Sequence, residues 1–305
     1  MLYSKVTPEQ KRIRLRELLT DGSIHQFPGT FNPLSARLIE EKGFSGVYIS
    51  GAVLANDLGL PDIGLTTLTE VATRAGQIAR MTDLPALVDA DTGFGEPMNA
   101  ARTVQELENA GLAGCHIEDQ INPKRCGHLD GKGVVDVDVA TRRIRAAADA
   151  RRDPNFLIMA RTDVRAADGI RAAQDRARAL VDAGADAIFP EAMKDLAEFA
   201  AIREAVDVPI LANMTEFGKS RLFTVRELES VGVNMVIYPV TLLRMAMGAA
   251  ERALETIRES GTQEASVPAM LTRARLYELV DYEGYNQFDT GVFNFSVPTV
   301  FSQPV

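Results

Sequence analysis

Ala110-Gly111-Leu112-Ala113-Gly114-Cys115-His116-Ile117-Glu118 decides the fold. A helical segment runs into a glycine that can end it in the left-handed conformation. A residue or two later an apolar run begins, and that run stops on a polar side chain. The same phrase returns at Lys42-Gly43-Phe44, Ala183-Gly184-Ala185 and Val231-Gly232-Val233. The apolar runs that follow these glycines cover 46–49, 114–117, 186–189 and 234–238, and four more lie at 26–30, 86–90, 156–160 and 209–212. Short apolar runs alternating with amphipathic helical stretches predict a parallel sheet. Eight of them favour a closed (β/α)8 TIM-type barrel, and no Gly-x-Gly-x-x-Gly follows the first. An open doubly wound sheet is the alternative. Residues 1–282 are expected to form one barrel domain with an N-terminal helix and further C-terminal helices. Residues 283–305 would be a tail that serves as an arm or is partly disordered.

The chain has 305 residues, 46% hydrophobic and 25% charged, without tryptophan, which describes a globular protein with ample core. A formal net charge of -9 argues against a surface for nucleic acid, because such affinity rests on neutralising phosphates. An anionic ligand must therefore meet local Arg and Lys. No apolar run approaches the roughly 20 residues that span a bilayer, and residues 1–8 lack the apolar core of a signal peptide, so a cytoplasmic protein with no membrane partner is expected. Two cysteines, Cys115 and Cys126, make no disulfide framework of the secreted kind.

In a barrel of this type the C-terminal ends of the strands build the active site, and here those ends are polar. They read Ser50-Gly51, Asp89 and Asp91, His116 and Glu118, Arg161 and Asp163, Glu191, Asn213 and Thr215, with Tyr238 and Arg244 near the last. Side chains alternate along a strand, so Asp89 and Asp91 should share a side, where two acids repel unless a cation lies between them. With Glu118 they would form an all-oxygen site suited to Mg2+ or Mn2+. A helix N-cap pair is the plainer alternative, and His116 is either a further ligand or a hydrogen-bonded core residue. Lys124-Arg125-Cys126-Gly127-His128 lies in a strand-to-helix loop, with Gly131 and Gly133 beyond it, and is expected to close over a ligand. Cations beside Cys126 would make its thiol reactive, whereas Cys115, inside an apolar run, is expected to be packing. No strand end carries the lysine that a Schiff-base aldolase needs, and P-loop, hydrolase-triad and zinc Cys-x-x-Cys patterns are missing.

Val88-Asp89-Ala90-Asp91-Thr92-Gly93-Phe94-Gly95, His116-Ile117-Glu118-Asp119-Gln120, Lys124-Arg125-Cys126-Gly127-His128 and Met159-Ala160-Arg161-Thr162-Asp163 together resemble the isocitrate lyase/phosphoenolpyruvate mutase superfamily, over about residues 8–282. The resemblance implies Mg2+-dependent carbon–carbon cleavage of 2-methylisocitrate to pyruvate and succinate, in propionate breakdown by the methylcitrate cycle. It implies a homotetramer in which neighbouring barrels exchange their last helix. It places the metal on Asp89 and Asp91, with Glu118 through water, and makes Cys126 the catalytic proton donor. Carboxylates of the small anionic substrate would meet Ser50, Gly51, Ala52, Cys126, Gly127, Arg161, Glu191, Asn213, Met214, Thr215, Arg244 and Arg273. Ala52 departs from the family pattern, which often has a second glycine there. Phe189 and Ile237 are placed to line a methyl pocket. Cleavage of isocitrate or 2,3-dimethylmalate, a phosphonate-forming mutase, and a carboxylate-binding protein without turnover are the rival readings. The chain is shorter than isocitrate lyases and has Arg125 where they have Lys. Cys126 argues against the mutase.

Overall fold

The computed structural model describes residues 4–125, 133–218 and 220–295. Its strands are β1 His25–Pro28, β2 Val47–Ile49, β3 Ala86–Asp89, β4 Gly114–Glu118, β5 Leu157–Thr162, β6 Ala187–Pro190, β7 Leu211–Asn213 and β8 Met235–Tyr238. All paired strands are parallel, in a run β2-β3-β4-β5-β6 and a run β1-β8-β7. Single bridges, Gly29 to Tyr48 and Ile188 to Ile210, join the two runs at both edges and close the ring. This is the TIM-type barrel, and the open sheet is excluded by the β1–β8 pairing.

The helices are α1 Pro8–Thr20, α2 Pro33–Glu41, α3 Gly51–Asp57, α4 Leu68–Ala79, α5 Pro97–Asn109, α6 Val137–Ala150, α7 Val164–Asp182, α8 Leu196–Ala205, α9 Val225–Glu229, α10 Thr241–Ser260, α11 Arg273–Leu279 and α12 Tyr282–Phe293. The four glycines of the recurring phrase, Gly43, Gly111, Gly184 and Gly232, all have positive φ, the conformation in which a side chain would be strained. Each of α2, α5, α7 and α9 stops short of its glycine for that reason.

Strand parity sorts the core into two layers. Val47, Ile49, Val88, Cys115, Ile117, Ile158, Ala160, Ile188 and Val236 face the helices. Tyr48, Leu87, Leu157, Met159, Ala187, Phe189, Leu211, Met235 and Ile237 face the barrel interior, where Leu15, Leu18 and Leu19 of α1 plug the bottom. Burying each plug leucine contributes about 1.5–3 kcal/mol. Apolar residues thus fill the lower barrel, and polar side chains are left for the mouth.

The last helices depart from the barrel pattern. No residue of α10 is buried, and Met245, Met247, Leu254 and Ile257 are exposed. α11 returns to α2, where Arg275 pairs with Glu41 and Arg37 Nη1 donates to the Leu279 carbonyl at 3.1 Å. Beyond it, the segment expected to be a tail begins with the helix α12, which carries exposed Tyr282, Phe288, Val292 and Phe293. Among the described residues no helix is long and apolar enough to cross a membrane.

Candidate active site

Asp89 ends β3 and is almost wholly buried. The chain then leaves the strand through Ala90, and Asp91 takes a left-handed φ of 46°. In that turn the Asp91 amide donates to Asp89 Oδ1 at 2.9 Å, and the Gly51 amide donates to Asp89 Oδ2 at 3.1 Å. Both carboxylates face the start of α3. A Cβ on Gly51 would stand 2.9 Å from Asp89 Oδ2 and 3.1 Å from Asp91 Oδ1, so only glycine leaves them room. The Gly51 amide is committed to Asp89, which takes it away from the substrate contact expected of it.

Glu118 closes β4 with both carboxylate oxygens buried and without a hydrogen-bond donor, 3.3 Å from Arg161 Nε at the nearer one. Arg161 ends β5 as the hub of the mouth. Its guanidinium holds Asp163 at 3.0 Å, reaches Glu191 at 3.3 Å and lies over the Phe189 ring at 5.1 Å. Asn213 Nδ2 donates to Glu191 Oε2 at 3.3 Å. Beneath this layer His116 Nε2 meets the Tyr48 hydroxyl at 2.8 Å, while its Nδ1 stands 3.7 Å from Asp89 Oδ1. His116 is thus a core hydrogen-bonding residue.

The electrostatics separate the two acids. Burial works to raise Asp89, but His116, Lys124 and Arg161 hold it down at about 2. Burial and the charge of Asp89 push Asp91 up to about 6, and burial raises Glu118 well above the usual carboxylate range. Closely set acids divided in this way gain from a cation that neutralises them. The donor set fits one. All three residues offer hard oxygens, and among the described residues Glu118 has no hydrogen-bond donor. Among the described residues no group of three or more His, Cys, Asp or Glu side chains is placed to hold a metal ion by itself, so most positions would fall to water or substrate, as magnesium prefers.

One cavity at the mouth is lined by Ser50, Ala52, Asp89, Arg161, Glu191, Asn213 and Thr215, together with Tyr48, Asp62, Lys124, Arg125, Phe189, Pro239 and Val240. Arg244 stands at its rim, donating to Thr215 Oγ1 at 3.4 Å and pairing with Glu216 at 2.7 Å, its guanidinium over the Phe217 ring. Met214 is not in the cavity. Its side chain joins the outer core, its sulfur accepts from the Phe223 amide, and its own amide donates to the Ile237 carbonyl. Ile237 faces the interior without lining the cavity, and Tyr238 packs outward, taking a hydrogen bond from Gln26. Arg273 is exposed at the start of α11. Cys126 and Gly127 lie outside the described residues, as do His128 and Gly131. Cys115 faces the helices, and burial pushes its thiol far up, so it is inert packing.

Asp62, Tyr48 and Lys124 are among the cavity residues that strand ends did not disclose. Asp62 follows α3 in a connecting segment, where no strand end marks it. Tyr48 lies one residue before the end of β2, on the inward parity that Ser50 continues. Lys124, expected beside the Cys126 thiol, which lies outside the described residues, turns its Nζ into the carboxylates, pairing with Asp62 and standing 2.8 Å from Asp91 Oδ1.

The phosphoenolpyruvate phosphomutase family matches residues 15–258. The chain is 61% identical over 296 residues to probable 2-methylisocitrate lyase 2 of Corynebacterium glutamicum, covering 97% of this chain and 96% of the relative. It is 47% identical over 274 residues to 2-methylisocitrate lyase of Escherichia coli, covering 89% and 93%. Oxaloacetate acetylhydrolase in complex with 3,3-difluorooxalacetate superposes with a TM-score of 0.87 at 34% identity, over 95% of this chain and all of that one. A phosphonopyruvate hydrolase complex with oxalate and Mg2+ gives 0.82 at 27% identity, over 95% and 99%. Family match, full-length identity and barrel agree: the chain belongs to the phosphoenolpyruvate phosphomutase family, within the isocitrate lyase/phosphoenolpyruvate mutase superfamily, among the carbon–carbon lyases named 2-methylisocitrate lyase.

Proposed function

We propose that this chain cleaves 2-methylisocitrate to pyruvate and succinate, the step that releases pyruvate in the methylcitrate route of propionate breakdown. The observation that carries the reading is the meeting of buried Asp89, Asp91, Glu118 and Arg161 at the barrel mouth, where Asp89 and Arg161 line the cavity, in a chain 61% identical to a relative named probable 2-methylisocitrate lyase 2.

Asp89 and Asp91 would hold Mg2+, or Mn2+ in its place, with Glu118 reaching it through water, and a cation bound there would supply positive charge beside the hydroxyl and carboxylate of the future pyruvate half. Arg161 is locked by Asp163 and Glu191 before substrate arrives, so it offers donors already oriented toward charge developing on the succinate half. Asn213 and Thr215 line the same wall, and Ser50, Ala52 and Arg244 complete the cradle for the substrate carboxylates. When the carbon–carbon bond breaks, its electron pair stays on the succinate carbon and the Cys126 thiol donates a proton there. The hydroxyl proton leaves to a base, so the two transfers balance. Phe189 provides the apolar wall against which the methyl group lies.

The assembly is a homotetramer whose C-terminal helices exchange between neighbours. The unburied α10 and its exposed apolar side chains support this reading, and exchange would carry Arg273 to a neighbour's mouth.

Purified protein incubated with Mg2+ and 2-methylisocitrate, isocitrate, 2,3-dimethylmalate or oxaloacetate tests the assignment. Pyruvate release from 2-methylisocitrate should show much the highest kcat/KM and vanish with EDTA. One methyl group is worth only about 1–3 kcal/mol in a pocket, so slower cleavage of isocitrate is expected. Preference for another acid would move the chain to a different pathway, and no cleavage of any would end the lyase reading. Cys126→Ser should lower kcat by about two to four orders of magnitude while substrate still binds; undiminished turnover would remove Cys126 from its role.

A further inference from the structure

A buried pair of acids that waits for a divalent cation has to be neutralised by something while the cation is away. Asp89 and Asp91 are each 5% exposed, and to their charges are added those of Asp62 and Glu191, which line the cavity with Asp89, and of the buried Glu118. Arg161 is engaged by Glu118, Asp163 and Glu191. Among the described residues Lys124 is the cation that pairs with Asp91. Its side chain is 3% exposed, and Nζ stands 2.8 Å from Asp91 Oδ1 while also pairing with Asp62. Its stem passes a glycine: a Cβ on Gly64 would lie 3.4 Å from Lys124 Cγ. A long, strongly hydrated side chain is thus buried with its charge delivered to one of the two acids and with a second partner on hand.

We propose that Lys124 is the resident counterion of the carboxylate site, competing with the divalent cation for Asp91, and that Asp62 is the partner that keeps it when the cation binds. The inference rests on the reading of Asp89 and Asp91 as cation-holding residues. The ammonium and a divalent cation cannot share Asp91 Oδ1 without strong repulsion at so short a distance in a buried site. Only the fraction of molecules with Lys124 turned to Asp62 is competent, and the apparent affinity for the cation is lowered by that fraction. The arrangement also has a use. The site stays charge-balanced when empty, and Lys124, two residues before Cys126 in the chain, takes different partners in the empty and filled states.

Calorimetric titration of the whole protein with MgCl2, without substrate, tests this. Lys124→Met keeps the volume and removes the charge, so it should bind Mg2+ more tightly than the native protein, by about tenfold or more. Lys124→Arg, which keeps the charge, should stay near the native value. Unchanged or weaker Mg2+ binding by a Lys124→Met protein with native circular dichroism would overturn the proposal while leaving the metal site standing. A native protein that takes up neither Mg2+ nor Mn2+ would overturn both. Should Lys124→Met fail to fold with Asp62 left unpaired, Lys124→Met/Asp62→Asn read against Asp62→Asn alone must show the same tightening, and its failure to do so is equally decisive.

Discussion

His116 has no exposed surface, and its ring is stacked on Tyr48 and edge-on to Phe189. Burial lowers its pKa from 6.5 to about 4 despite the pull of Asp89, so the ring stays neutral in the folded protein across most of the acid range. The unfolded chain takes a proton on this residue below pH 6.5, the folded chain only below about 4. Folded stability contributed by the neutral ring is therefore full above 6.5 and is lost as pH falls through that window, by roughly 3 kcal/mol in all. His116→Gln can keep the Tyr48 hydrogen bond without titrating. Urea unfolding of both proteins at pH 7 and pH 4 should show the native protein losing about that much relative to the variant; parallel losses would mean that His116 is already charged when folded. The ring holds the Tyr48 hydroxyl through Nε2 and leaves Nδ1 3.7 Å from Asp89 Oδ1. Residue identities along the strands disclosed most of this layer, because parity and strand ends are local properties of the sequence. Asp89 and Asp91 share a side as expected, although for another reason. The chain turns left-handed at Asp91 instead of continuing the pleat, and periodicity carries no sign of that. Asp62 was illegible because its place is set by a connection whose path is fixed only when the barrel has closed.

At the scale of elements, the eight strands were legible to within a residue or two, since each glycine that halts a helix is a steric requirement written into one position. Less legible was how the stretch leading to Cys126 is anchored. Gln120 is wholly buried, and its side-chain amide accepts from the Arg125 amide at 2.8 Å and donates to the Arg125 carbonyl at 2.9 Å, as a neighbouring strand would. The return is tied to the same place: Gln120 bridges Val134, and the Ile121 amide donates to the Gly133 carbonyl at 3.0 Å. Arg125, Gly133 and Val134 are therefore pinned to one short stretch. Gln120→Met fills the volume without either hydrogen bond. It should cost roughly 1–3 kcal/mol in urea unfolding and depress kcat more than it raises KM. A variant with lowered stability but native kcat would show that the clamp serves folding alone.

The whole molecule keeps its charge balance at the mouth and leaves its apolar excess at the C-terminal end, on α10, α11 and α12. Periodicity predicted helices there, but no single-chain pattern says which surface a helix will cover. If α10 packs on a neighbour, sedimentation velocity should find tetramers, and Leu254→Asp/Ile257→Asp should dissociate them together with loss of turnover. A native protein that sediments as a fully active monomer would refute the exchange. Glu216 adds a consequence of its own. One of its oxygens accepts from the hydroxyl of Thr241, the first residue of α10, and the other holds Arg244 one turn later. The helix that leaves the barrel is fastened to the rim of the catalytic mouth at the point of departure. For an enzyme built this way, dilution is a chemical perturbation: thinning the solution until subunits part would loosen Arg244 and withdraw Arg273 at once, so protein concentration itself would set how many mouths are complete.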